Sequence, residues 1–463
     1  MFSKEIYTAR RKNLTKQVSG GLVFLPGNSD VPFNYPANTF TFRQDSSFLY
    51  FFGVKQPDII GIIDVDSGED YMFGNDVDID DIIWMGEQPT MKEFAGKNGV
   101  KNAFPLSKVD EFIEKALKQG RKIHFLPAYR AQTKLLSEKL LGIPADEINN
   151  NVSEELIKAV VKLRSIKEPG EIEDIERTVD VAYEMHTTSM KSAIPGTKEQ
   201  EIYGKIEGIA LSHGGPVSFP IILSVNGQIL HNHHHENILK AGQLMVTDAG
   251  AESPMHYCSD ITRTTPVGGK FSQKQKEVYE TVMNANFEVI KNTKPGIMYK
   301  DMHMLSAKVV AQGLKDIGLM KGDVDEAVAN GAHALFYPHG LGHMMGMDVH
   351  DMEGLGENYV GYDETVQRSN QFGLAFLRMA RKLEPGFVIT VEPGIYFIPA
   401  LIDIWKRENK LTDFINYQKL EEYRNFGGIR IEDDILITEN ACRVLGKPIP
   451  KTVKEIEDLM RNQ

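Results

Sequence analysis

Four short segments set acids and histidines into apolar or glycine-rich frames. They are VTDAGAESPMHYCSDITRT from Val246, PHGLGHMMGMDVHD from Pro338, ITVEPGIYF from Ile389 and GGIRIEDDI from Gly427. The run from Leu244 is apolar until it ends in Asp248, and Val388 to Val391 lead into Glu392. A lone carboxylate is costly to bury, so buried acids need a cation or a metal. Asp248, Asp260, Glu392 and Glu432 with one imidazole make an oxygen-rich donor set for two divalent ions. Manganese, cobalt and zinc all suit it, although a pure zinc site more often carries extra His or Cys. Singly, each feature reads more plainly. Asp248 could be a turn or cap residue, Glu432-Asp433-Asp434 a solvated edge, and His333 structural or exposed. His339 and His343 are four apart, but the surrounding Pro and Gly argue for a loop or strand. HNHHH at 231–235 reads as a metal tract or as an inert surface run. The joint occurrence of the four segments carries the chemistry. There is no HExxH helix, no Walker loop and no G-x-S-x-G elbow.

These groups need strands to hold them. Ile429, Ile431 and Ile435 alternate with Arg430, Glu432 and Asp434. Side chains i and i+2 share a strand face, so Arg430 and Glu432 point one way, as do Thr390 and Glu392. One strand pair carries Asp248 and Asp260, and a later strand region carries Glu392 and Glu432. Two similar halves, each with two carboxylates, would form a cleft. Helical patterns cover roughly 171–191 and 199–212, split by Pro195-Gly196, and a block near 272–330. Upstream, short apolar runs at 21–25, 59–64 and 122–126 alternate with helical patterns such as 109–119, as in an α/β layer. An amphipathic stretch at 152–163, followed by SIKEPGE, marks the boundary. The expected domains are 1–160 and 161–463.

Composition narrows the function classes. The chain has 463 residues, 41% hydrophobic and 25% charged, which suits a globular protein. Its net charge of −12, from 64 acidic and 52 basic residues, argues against a general nucleic-acid binder. No apolar run approaches the roughly 18 residues that a membrane span needs. Two cysteines, Cys258 and Cys442, make no disulfide framework. The opening MFSKEIYTARRKNLTKQ is charged and lacks the apolar core of a signal peptide. A cytoplasmic location is expected.

At the four segments, and in FRQDSSFLYFFGVKQPD and IIWMG near the start, the sequence resembles the prolidase and aminopeptidase P family of metallopeptidases. The resemblance covers nearly the whole chain. It implies an α/β N-terminal domain followed by an α+β pita-bread catalytic domain with pseudo-twofold symmetry. It implies a dinuclear centre held by Asp248, Asp260, His343, Glu392 and Glu432, with Asp260 and Glu432 bridging, most simply with manganese. His231, 17 residues before Asp248, matches a substrate-site histidine. His339 and His350 match histidines that bind substrate and stabilise the transition state. Arg430 matches an arginine beside the metals, and Arg378 one that takes a dipeptide's free carboxylate. Trp84 matches a tryptophan that reaches a neighbouring subunit's site, implying a homodimer or higher homo-oligomer. The implied reaction is hydrolysis before proline in a di- or oligopeptide, with Glu392 as proton shuttle. Proline has no N–H, so a dedicated pocket must hold its ring, and Tyr396 and His339 are candidates for its wall. Neither nucleic acid nor membrane is an expected partner.

The insertion after VEPGIYF, together with GLMKGDVDEAVANGAHALFYPHGLGH, is similar to the dipeptidase branch; aminopeptidase P is the alternative. Creatinase-like and non-catalytic relatives lose metal ligands, and all five positions are filled here. Three departures stand out. Asp248 and Asp260 are twelve apart, one more than in the aminopeptidase P pattern. Phe219 stands where the family often has Tyr. LSVNGQ is a shortened substrate loop.

Overall fold

The structure is a computed structural model, and it describes residues 2–461. The chain divides after Arg164 into two compact units, with Gly354–Tyr359 belonging to the first. The first unit is built on a five-stranded sheet. Its spatial order is Asn102–Phe104, Glu69–Phe73, Ile60–Asp64, Leu22–Pro26, Ile123–His124. The three central strands are antiparallel and both outer pairings are parallel. Leu22, Phe24, Ile60, Ile62 and Phe73 form the core under helix Val109–Lys118. That helix buries Val109, Ile113 and Ala116, a spacing that keeps one face on the sheet. Burying a side chain such as Ile113 contributes about 1.5–3 kcal/mol. The strand expected at 122–126 shrinks to Ile123–His124. Phe125 O instead accepts from Ser153 N, and Pro127 has no N–H to extend the ladder.

The second unit repeats a pattern. Helices Pro169–Ser192 and Glu199–Ser212 form one pair, and Gln273–Asn292 and Tyr299–Asp316 another. Each pair is joined through a Pro-Gly turn, Pro195-Gly196 and Pro295-Gly296. Both glycines are left-handed, at φ 95° and 86°, where a Cβ would be strained. An isolated bridge follows each turn, Lys198 to Ile238 and Met298 to Lys382. Strand Leu244–Ala249 lies between Ile222–Ser224 and Ile261–Pro266. Val388–Val391 pairs with Asp433–Ile437, and Gly394–Tyr396 with Gly428–Arg430.

The alternating run at 429–435 is therefore two strands, not one. Its partner breaks at Glu392-Pro393, because Pro393 cannot donate to the ladder. Opposite, Ile431 N bonds Pro393 O at 3.3 Å, and Glu432 N bonds Thr262 O at 3.0 Å. Glu392 and Glu432 thus sit at facing breaks, Glu392 just after strand Val388–Val391 and Glu432 just before strand Asp433–Ile437. The shared face of Arg430 and Glu432 is retained, since both side chains bond the Thr262 hydroxyl.

Candidate metal centre and active site

Asp248 belongs to strand Leu244–Ala249, and Asp260 precedes the antiparallel strand Ile261–Pro266. The register runs unbroken from Leu244–Pro266 to Ala249–Ile261, and a bridge joins Glu252 to Cys258. The chain reverses beyond that bridge, in turn 253–257, where His256 is left-handed at φ 69°. Across from Asp260, a side chain at Gly250 would overlap the Ser259 carbonyl.

The five candidate ligands converge. One donor atom each from Asp260, His343 and Glu432 lies within 4.8 Å of the others. His343 Nε2 is 3.3 Å from Asp260 Oδ2 and 3.8 Å from Glu392 Oε1. His343 Nδ1 faces the Met344 carbonyl at 3.1 Å, so Nδ1 carries the proton and Nε2 offers a lone pair. Arg430 Nη2 binds Asp248 Oδ2 at 2.7 Å, and Thr262 donates to Glu432 Oε2 at 2.7 Å. Asp248 Oδ1 and Asp260 Oδ1 are buried without any hydrogen bond. Burial and the neighbouring Asp248 push the Asp260 carboxyl up; burial and Asp260 do the same to Glu432. Glu392 is raised as well, chiefly by burial. Buried carboxylates with orphaned oxygens, beside an imidazole lone pair, are the donor set of a divalent cation. The residues fit a metal.

Glu432-Asp433-Asp434 is no solvated edge; all three are buried. Asp434 Oδ2 accepts from Asp260 N at 3.0 Å. Asp433 pairs with Arg263 at 2.7 Å and with Lys451; against burial, these cations hold its carboxyl well below the usual range.

These groups open onto a cavity of about 550 Å³, lined by Asp248, Asp260, His343, Glu392, Glu432 and Arg430. His231, His339, His350 and Arg378 line it too, as do Phe219, Phe372 and Phe376. Of the histidine tract, His231 and His233 face the cavity, while His235 is buried against Tyr203 and bonds Leu223 O at 2.9 Å. His333 is fully buried. Tyr396 corrects an expectation: it is fully buried behind His339, outside the cavity lining. Its hydroxyl accepts from Arg430 Nη1 at 2.9 Å and so donates to His339 Nε2 at 2.8 Å, while His339 Nδ1 donates to Gly340 O at 2.7 Å. Burial and Arg430 push His339 down to about 3, so it is neutral. Burial also lowers His350, helped by His343, and His231, helped by Arg430. His350 Nδ1 lies 3.3 Å from Glu353 Oε2, and Arg378 pairs with the same carboxylate. Trp84, in the first unit, is 85% exposed on helix Ile79–Met85, which buries no side chain.

Sequence reasoning missed Thr262, Glu353 and Asp434. Thr262 had a signal, a hydroxyl in a buried strand two residues past an acid. Glu353, three past His350, had none beyond spacing.

The profile of metallopeptidase family M24 matches residues 173–439, and that of the aminopeptidase P N-terminal domain matches 7–124. The Xaa-Pro dipeptidase of Homo sapiens is 35% identical, over 97% of this chain and 90% of that protein. A probable Xaa-Pro aminopeptidase of Aspergillus clavatus is 31% identical, over 90% of this chain and 88% of its own length. The structure of E. coli aminopeptidase P with the inhibitor Pro-Leu superposes with a TM-score of 0.82 at 29% identity, covering all of both chains. The expected architecture, an α/β N-terminal domain and a pita-bread catalytic domain, is borne out. Among the described residues, no helix is long and apolar enough to cross a membrane.

Proposed function

This chain belongs to metallopeptidase family M24, and on that premise we propose that it hydrolyses the bond before proline as an Xaa-Pro dipeptidase. The observation that carries the reading is three buried carboxylates and a buried imidazole, with orphaned oxygens on Asp248 and Asp260, opening together with the partly exposed Glu392 on one cavity. Asp248, Asp260, His343, Glu392 and Glu432 would hold two divalent ions. The oxygen-rich donors favour manganese; cobalt and zinc also suit them. When bound, the ions polarise a carbonyl and lower the pKa of water toward about 7.

The chain's own groups do the rest. Glu392, its carboxyl raised by burial, takes a proton from the nucleophile and returns it to the leaving nitrogen. Neutral His350 and His231 hydrogen-bond the substrate. His339, held by Tyr396 and Gly340, presents a fixed ring face to proline. Arg378, steadied by Glu353, takes the dipeptide's free carboxylate. The 399–426 insertion supports the dipeptidase branch. Its helix Pro399–Arg407 buries Trp405 against Phe372, a cavity-wall residue, with ring centroids 6.0 Å apart. The second reading, an Xaa-Pro aminopeptidase acting on longer peptides, is favoured by the likeness to E. coli aminopeptidase P.

We further propose a homodimer, which would cover the exposed Ile83, Trp84 and Met85. A cytoplasmic location accords with Cys258 and Cys442 forming no disulfide. The test of the main reading is a paired assay with manganese and an EDTA control. Cleavage of an Xaa-Pro dipeptide but not of an Xaa-Pro-Xaa tripeptide is expected. Cleavage of the tripeptide would move the assignment to aminopeptidase, and cleavage of neither would overturn it.

A further inference from the structure

The loop from His343 to Glu353 carries His343 and His350, which line the cavity, and Glu353, which holds Arg378. The loop closes on itself through Asp351. Asp351 N donates to Met344 O at 2.9 Å, and Asp351 Oδ1 accepts from Asp348 N at 3.3 Å. Asp351 Oδ2 meets Lys167 Nζ at 3.0 Å, and both side chains are 1% exposed. Lys167 is 184 residues away in sequence, and its own N–H bonds Gly386 O at 2.9 Å, just before strand Val388–Val391 and Glu392. Between them lies Gly346, where a Cβ would overlap Asp351 Oδ2 and come within 2.9 Å of Lys167 Cε. Gly346 O is in turn held by Cys258 N at 2.8 Å, so the strand of Asp260 also references the loop.

We propose that the Lys167–Asp351 ion pair is a positioning device that sets where His350 and the Glu353–Arg378 pair meet substrate. Neither residue lines the cavity, so they act through the loop. A buried ion pair is a poor stabiliser beside a well-packed apolar pair of the same volume. What it supplies here is a fixed joint between the loop and the start of the Glu392 strand. A substrate group misplaced by about 1 Å can cost roughly 10²-fold in rate.

The kinetic readout rests on the proposed peptidase activity, and a second readout does not. Lys167→Met alone removes the cation beside a buried carboxylate and should lower the melting temperature. Lys167→Met with Asp351→Asn removes both charges and keeps the Oδ1 acceptor for Asp348 N. In that double variant the melting temperature should return toward the parent, while kcat/KM stays down by roughly 10²-fold, with KM raised. Hydrogen exchange of amides 344–351 should be faster in the double variant than in the parent. Gly346→Ala, which keeps both charges but displaces the carboxylate, should raise KM in the same way. Parent-like KM and parent-like exchange in the double variant would overturn the proposal. If the parent cleaves no proline peptide, the functional reading falls, and the exchange result still decides on the ion pair.

Discussion

Replacing Glu392 by Gln should have opposite effects on activity and on metal-free stability. The carboxylate makes no hydrogen bond within the described residues. Its oxygens lie 3.8 Å from His343 Nε2 and 3.8 Å from His339 Nδ1. The substitution therefore keeps shape and loses charge without orphaning a partner. A positioned proton-transfer group contributes about 10²–10⁴-fold, which corresponds to about 2.7–5.5 kcal/mol of barrier. The expected kcat with an Xaa-Pro dipeptide falls by that factor at saturating manganese. In EDTA the sign reverses. Burial raises the Glu392 carboxyl, so at neutral pH its charge is a liability to the folded metal-free chain. A neutral Gln removes it, and the metal-free variant should melt above the parent. Kinetics at saturating metal, metal content by elemental analysis and thermal scans in EDTA separate the two effects. A kcat within tenfold of the parent at full metal content would refute the proton-shuttle role. A lower melting point in EDTA would refute the electrostatic argument.

Metal binding should release protons. Asp260 and Glu432 are raised by burial and by neighbouring carboxylates, so the metal-free folded chain holds protons that the unfolded chain gives up above about pH 4. Metal-free stability from these groups is therefore fullest at low pH and declines as pH rises through their folded values, while metal affinity climbs. Calorimetric titration of manganese in two buffers of different ionisation heat measures the release, and zero net release near pH 6 would contradict it. Gly342→Ala would overlap the Thr390 carbonyl and approach its hydroxyl at 2.7 Å, where Thr390 Oγ1 accepts from His343 N at 3.1 Å. It should cost about 1–3 kcal/mol in urea denaturation and lower metal content, and an unchanged metal content would contradict the coupling. Trp405→Ala should cost about 3–5 kcal/mol and admit tripeptides that the parent rejects; unchanged tripeptide turnover would detach the insertion from length selection.

The acids were legible because their cost is local. Asp248 and Glu392 end apolar runs, and a buried carboxylate announces a cation wherever the chain goes. The helix pairs were legible from periodicity and from Pro195-Gly196. Partner choice was not. Alternation at 429–435 records which side chains share a face, and Arg430 and Glu432 do. It carries no record of which strand lies alongside, so the break at Ile431-Glu432 and the matching one at Glu392-Pro393 stayed hidden. Tyr396 shows the same limit: a tyrosine near the site could line the cavity or stand behind it, and only packing put it behind His339. Glu432, Asp433 and Asp434 are all acids and adjacent, yet one joins the Asp260–His343 donor cluster, one pairs with Arg263 and one holds Asp260. The sequence by itself determined the donor chemistry and the family, because residue type and short spacing carry both. The tertiary structure alone decided which oxygens stay unpartnered, which histidine nitrogen is free and that Lys167 meets Asp351, because those depend on contacts between segments up to 184 residues apart.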